Sequence, residues 1–157
     1  AVYSLANHPF MNKLMSPAQR KNGTDRDTIV QTFMLVATNQ ENNFTSFRAK
    51  DIDMFVSQYA DQYINRADIL KEAMNKFDES FDEIKIPVTS IPQILYSGYR
   101  IIKDKKSFTK LVDKVAEFCV NYDSNDEYKQ FVQNGTGSKE NVRGRFDYWR
   151  SIVRELQ

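Results

Sequence analysis

Apolar residues recur at spacings of three and four along most of this chain, which is the period of a helix with one buried face. The plainest case is Ile29, Val30, Phe33, Met34 and Ala37. Thr24 stands ahead of them as a cap, and Asp25 and Asp27 fill the first turn, where the helix dipole favours negative charge. Ile52, Phe55, Val56, Tyr59 and Tyr63 predict a second stripe beginning near Ala49. Ile69, Leu70, Ala73, Met74 and Phe77 predict a third, with Asn65 as its cap. Thr89 or Ser90 followed by Pro92 reads as a cap and first-turn proline, opening a helix through Ile94, Leu95, Ile101 and Ile102 whose middle Gly98 weakens. Ser107 caps the next, with Phe108, Leu111, Val112, Val115, Phe118 and Cys119 inward. A shorter one follows through Tyr128, Phe131 and Val132. From Ser138 onward Val142, Phe146, Trp149, Val153 and Leu156 form the apolar face of a last helix, with Trp149 deepest.

The connections are read from their breakers. A first helical segment runs to about Met15, with Pro9 in a first turn and Ser16-Pro17 closing it, and Gln19 to Gly23 reads as a polar linker. Gln40 to Asn43 and Asn134 to Gly137 are stop signals, and Asp78 to Glu83 is an acidic exit. Glu83 to Val88 is a short extended stretch, but one isolated strand cannot make a sheet. The expectation is a single all-α domain over residues 1–157, an irregular multi-helix fold of about seven to eight helices. Their unequal lengths do not suit a regular four-helix bundle. Val2, Leu5 and Ala6 already sit at helical spacing with no cap ahead, so the chain is expected to be part of a longer protein.

Composition narrows the chemistry. Nine glycines and prolines in 157 residues favour long helices, and eleven Phe, eight Tyr and Trp149 supply a core. One Cys and one His exclude a disulfide framework and a zinc site of four His or Cys ligands. No metal ligand set or cofactor is expected. Twenty-two basic residues against twenty-one acidic leave no global field for nucleic acid, so any such site must be a local patch. No apolar run has the length of a membrane span, and the N-terminus lacks the basic and apolar regions of a signal peptide. A cytoplasmic protein is expected, which the lone Cys119 suits.

Two such patches exist. Arg143, Arg145, Arg150 and Arg154 place four of nine arginines in the last helix, and guanidinium forks pair with phosphate oxygens. The ordinary alternative is a solvated face paired with Glu140, Asp147 and Glu155. Arg100, Lys103, Lys105, Lys106, Lys110 and Lys114 form a second run with only Asp104 and Asp113 as counter-charges. If both lay on one side they would make a nucleic-acid track. Gly135-Thr136-Gly137-Ser138-Lys139 precedes a helix and resembles a phosphate nest, without the full P-loop spacing. Asp78, Glu83 and Lys85 form an acid-x-lysine grouping of the kind metal-dependent nucleases use, set against a plain charged loop. His8 reads as a turn or buried polar residue, and Cys119 as a small core residue.

Asn7-His8-Pro9-Phe10-Met11, then Asp25-Arg26-Asp27-x-Ile29-Val30-x-x-Phe33-Met34, then Phe146-Asp147-Tyr148-Trp149-Arg150 stand in an order that resembles the helical C-terminal half of the ParB-like, GmrSD-type phage-restriction family. In that family an N-terminal half carries a D-G-Q-Q-R motif tied to NTP use, which this sequence lacks, and no HNH-type nuclease half is present. The resemblance therefore implies a non-catalytic role: a helical body that supports an N-terminal half, joins protomers, or holds DNA. The alternatives are an oligomerisation or protein-interaction domain without nucleic-acid binding, and a metal-dependent nuclease fragment.

Overall fold

A computed structural model describes residues 1–41 and 46–156. It is all-α: among the described residues there is no strand. Among the described residues six long helices, α4 (Thr24–Glu41), α5 (Ala49–Tyr63), α6 (Ala67–Ser80), α7 (Ile91–Lys103), α8 (Phe108–Val120) and α10 (Lys139–Glu155), do most of the packing. Four short ones, α1 (Val2–Ala6), α2 (Pro9–Leu14), α3 (Pro17–Lys21) and α9 (Asp126–Lys129), fill the gaps.

The core is organised around α7. Every residue from Ile91 to Tyr99 is buried, because α4, α6, α8 and α10 pack against it. Of its buried polar side chains, Ser97 donates to the Gln93 carbonyl at 2.8 Å, whereas the Gln93 side-chain amide and the Tyr99 hydroxyl are buried without a hydrogen-bond partner. Gly98 does not simply weaken it. A Cβ there would lie 2.7 Å from a ring carbon of Phe77 on α6, so the glycine is where the two helices meet closely. Phe77 continues the contact, stacking on Phe10 at 5.4 Å and meeting Phe108 edge-on at 4.8 Å. Helix α4 lies between α1 and α5 on one side and α7 on the other, and is buried well beyond one stripe. Its buried Thr28 and Thr32 donate back to the carbonyls of Thr24 and Thr28, at 2.7 and 2.8 Å.

Where the helix boundaries differ from the sequence reading, capping explains it. The first segment is two helices, split at His8, whose ring Nδ1 accepts from the Phe10 amide at 3.0 Å and caps α2. The stretch from Gln19 to Gly23 is not a linker, since Pro17–Lys21 is helical. Ser16 and Gln19 form a reciprocal capping box, and no α3 side chain is buried, so hydrophobic period could not reveal it. Asn65 lies inside a 3₁₀ turn, Ile64–Arg66, and does not cap α6; Arg66 takes that position and stacks on Tyr63 at 4.3 Å. Val56 is 48% exposed, on the outer face of α5. The stretch from Glu83 runs without regular structure to a 3₁₀ turn, Val88–Ser90. Of the stop expected at Gln40 to Asn43, Asn42 and Asn43 lie outside the described residues. The caps Ser107 and Ser138 and the buried Trp149 stand as expected.

Candidate nucleic-acid interface

The seam between α7 and α10 brings the two basic runs to one side. Tyr96 of α7 packs edge-on against Phe146 of α10, with ring centroids 4.7 Å apart. Arg100 stands one turn beyond Tyr96 and Arg150 one turn beyond Phe146, so both point along the same seam. The Arg150 guanidinium lies 5.0 Å from the Phe146 ring centroid and 3.5 Å from Asp147. Arg100 pairs with Asp104 at 3.0 Å. Arg154 follows Arg150 by a further turn and is exposed.

The turn after α7 closes the arrangement. Lys105 takes a left-handed conformation with φ of 57°. The amides of Lys105 and Lys106 donate to the carbonyls of Ile102 and Ile101, at 3.2 and 3.0 Å. This is a Schellman ending with lysine where glycine is usual. It turns Lys106 back onto α10, where its ammonium donates to the Val153 carbonyl at 3.2 Å. The same carbonyl also accepts from the Leu156 amide at 3.2 Å, so Lys106 adds a second donor at the end of α10.

Arg100, Arg150, Asp104 and Arg154 are the charged groups that act on the Tyr96 phenol. Burial pushes this phenol up to about 12, although the three guanidiniums pull it the other way. It therefore stays a neutral hydroxyl able to donate. The Arg100 and Arg150 side chains are only 25% and 33% exposed, so both are held by packing, with part of their hydration already lost. Lys103 and Lys105 extend the positive surface from the adjoining turn, and Lys110 lies in the first turn of α8. Among the described residues, none of these three nor Arg154 forms an ion pair within 4.0 Å. Arg143 stands two turns before Arg150 and 3.8 Å from Asp147.

Arg145 has to be removed from the phosphate contacts expected of the last helix. It is 2% exposed and lies on the inward face with Val142, Phe146 and Trp149. One guanidinium nitrogen donates to the Phe131 carbonyl at 2.7 Å. Burial lowers its pKa. The sequence shows four arginines close together, but helical phase sends this one to the core.

The other candidates are accounted for locally. In the glycine turn, Ser138 caps α10, and the Asn141 amide donates to the carbonyls of Asn134 and Gly135 at 3.1 and 2.9 Å. The Gly137 carbonyl accepts from Phe47 at 2.9 Å, so the turn docks against a neighbouring segment. Asp78 pairs with Lys13 at 2.8 Å, and Glu83 and Lys85 are exposed in the following loop. No group of three or more His, Cys, Asp or Glu side chains suited to a metal ion occurs among the described residues. The second ring nitrogen of His8 sits 2.6 Å from Asn75. Burial pushes the Cys119 thiol up to about 11. Tyr96 at the seam is what the sequence reading missed, and Lys106, which that reading placed among the phosphate contacts, has its ammonium held by the Val153 carbonyl. The available signal was the repeated aromatic-to-arginine spacing of four, Tyr96 to Arg100 and Phe146 to Arg150.

Comparison of the chain with known protein families, with curated proteins and with solved structures finds no match. Among the described residues no helix is long and apolar enough to cross a membrane. The fold and this surface together define an all-α domain with a basic rim along one helix seam.

Proposed function

We propose that this chain is a non-catalytic helical module of a DNA-restriction or phage-defence-type protein, which contacts nucleic-acid phosphates along the α7–α10 seam. One observation carries the reading: the bond from Lys106 to the Val153 carbonyl, which fastens one basic run to the helix bearing the other. The GmrSD-like landmarks supply the context, and with it an N-terminal, NTP-using half as partner. No residue of the chain is assigned a catalytic role. The test is fluorescence anisotropy with a labelled DNA duplex between about 50 and 200 mM salt. Binding should weaken steeply with salt and be lost when Arg150 and Arg154 are both changed to Glu. Absent or salt-insensitive binding overturns the reading.

A second reading, an association domain without nucleic-acid binding, is favoured by a different place. An apolar groove of about 450 Å³ lies between α1, α4 and α5, lined by Val2, Val30, Phe33, Phe55 and Tyr63. Tyr3 and Val56 at its edge are 69% and 48% exposed. Light scattering decides here. Self-association lost in Val56→Lys supports this reading, and a strict monomer counts against a homo-oligomer.

A further inference from the structure

The segment that joins α6 to the 3₁₀ turn before α7 belongs to no regular element, yet its side chains alternate like those of a strand laid on a core. Ile84 is partly buried, Lys85 is exposed and Ile86 is buried. The main-chain amides and carbonyls of these three residues form no hydrogen bond with any described residue. Two hollows lie along the segment. One, of about 570 Å³, is lined by Asp82 to Lys85 together with Lys13 and Leu14. The other, of about 630 Å³, is lined by Lys85 to Val88 together with Leu14, Cys119 and Tyr122. Leu14 and Lys85 line both, so the two make one groove beside the segment. Its ends differ in charge. From Asp78 to Lys85 the chain carries four carboxylates and one ammonium, and Lys13 adds one cation that is already 2.8 Å from Asp78. That end is therefore acidic by two charges. The other end has apolar walls in Leu14, Ile86, Pro87 and Val88, with Asp123 at its rim and Lys129 bonded to the Asp123 main-chain carbonyl at 3.3 Å.

We infer that this groove binds an extended peptide, which pairs its main chain with Ile84 to Ile86 as an added strand. The peptide sets a lysine or arginine at the Asp82–Glu83 end and an apolar side chain against Leu14, Ile86 and Val88. Main-chain donors and acceptors left open along an extended run match those of a second extended main chain. The burial of Ile86 and part of Ile84 holds the receiving segment before the peptide arrives, which lowers the entropy lost on binding. Excess negative charge selects a basic peptide and repels phosphate. The groove is thus a surface separate from the α7–α10 seam, and the inference goes beyond the phosphate-binding reading. In an extended chain, residues four apart lie on one face about 13 Å from each other, so the basic and apolar positions of the peptide are placed at that spacing.

The probe is a fluorescein-labelled pentapeptide amide, Lys-Thr-Val-Thr-Leu, titrated with the whole chain and followed by anisotropy. It should bind saturably, and the version with Glu in place of Lys should bind about fivefold weaker or more. The double variant Asp82→Lys, Glu83→Lys should reverse that preference; both residues are exposed, so it should melt like the parent. Ser in place of the terminal Leu should weaken binding several-fold. Two further versions separate strand pairing from plain charge attraction, one N-methylated on both threonines and the other on the valine and leucine. Alternate amides of a paired strand face the same edge, so one version should lose about tenfold in affinity and the other little. Equal effects of the two overturn the pairing, and no saturable binding overturns the site. A preference for Lys over Glu that survives in the Asp82→Lys, Glu83→Lys variant places the peptide elsewhere and also overturns it. Self-association of the chain that this variant abolishes, without peptide binding by the parent, gives the groove to a second copy and overturns the peptide. The Arg150→Glu, Arg154→Glu and Val56→Lys variants should keep full peptide affinity, so failure here and failure of either earlier reading are distinguishable.

Discussion

Helix α7 is flanked by two seams of opposite character. Against α6 the contact is apolar and close, with Gly98 over Phe77 and Ala73, and Phe77 backed by Phe10 and Phe108. Against α10 the rings of Tyr96, Phe146 and Trp149 share the interior with a buried guanidinium, Arg145, and end in a rim of charge. Apolar seams gain from closeness alone, whereas each polar group buried in a seam costs desolvation that its partners must offset. The α6 side thus sets the position of α7. The α10 side accepts a poorer energy balance and holds charged groups in fixed places, which is what a binding surface needs.

The largest effects should come from emptying either seam. Phe77→Ala and Trp149→Ala each remove a wholly buried ring and should cost about 3–5 kcal/mol in urea unfolding. If Trp149→Ala cost less than about 2 kcal/mol, the α10 seam would not be integral to the core and the comparison would fail. Gly98→Ala tests the closeness of the α6 side by itself. The new methyl would meet Phe77 and Ala73, and overpacking costs about 1–3 kcal/mol, from which better helix propensity recovers up to about 1. A net gain in stability would show that Phe77 gives way freely.

The two seams should also part at high pH. Burial raises Tyr96 to about 12 and Tyr128 higher still, and the Cys119 thiol to about 11, while Gly98, Ala73 and Phe77 carry nothing that titrates. A folded state that holds its protons longer than the unfolded state keeps full stability below the unfolded values and loses it as pH rises through the folded ones. Urea midpoints should therefore fall from about pH 9 upward, first through Cys119 and then, above about pH 10, through the tyrosines. Tyr96→Phe should flatten the upper part of that fall. An unchanged slope in Tyr96→Phe would mean that its hydroxyl is not sheltered at the seam.

The same contrast explains what could be read from the sequence. Period and caps are local properties, so the all-α class, the six long helices, the Ser107 and Ser138 caps and the depth of Trp149 were all legible. Helix α3 was written in the Ser16 to Gln19 spacing, but with no apolar face it gave no periodic signal. The site was legible only in part. Arg100, Arg150 and Arg154 stood out by charge, whereas Tyr96 looked like core and the Lys106 bond to Val153 spans 47 positions that no spacing rule connects. Arg145 could have been set apart by phase, since it falls three residues after Val142 and four before Trp149.

Arg145 offers a sharper test than its neighbours because its charge is buried with no carboxylate within ion-pair distance among the described residues. Replacing buried ion pairs by apolar side chains of similar volume is often neutral or stabilising, and this lone charge has no Coulombic partner to lose, only its bond to the Phe131 carbonyl. Arg145→Met should therefore stay within about 1.5 kcal/mol of the parent and leave nucleic-acid affinity unchanged. A loss of affinity without a loss of stability would return Arg145 to the interface.

The smallest effect concerns the turn that carries Lys106. Lys105 holds φ at 57°, a conformation that costs an L-residue about 1–2 kcal/mol and glycine little. Lys105→Gly should relieve that strain, offset by glycine's greater freedom in the unfolded chain, and raise stability by up to about 1 kcal/mol. It also deletes one exposed charge beside the seam while the backbone bonds of the turn, and so the reach of Lys106 to Val153, stay in place. If the Schellman turn alone places Lys106, the variant should be more stable and should bind nucleic acid with a salt slope smaller by at most about one unit. A more stable variant that loses binding altogether would mean that the lysine side chain itself, and the strain it tolerates, belongs to the charged rim. The contrast between the seams would then extend into the turn that joins α7 to α8.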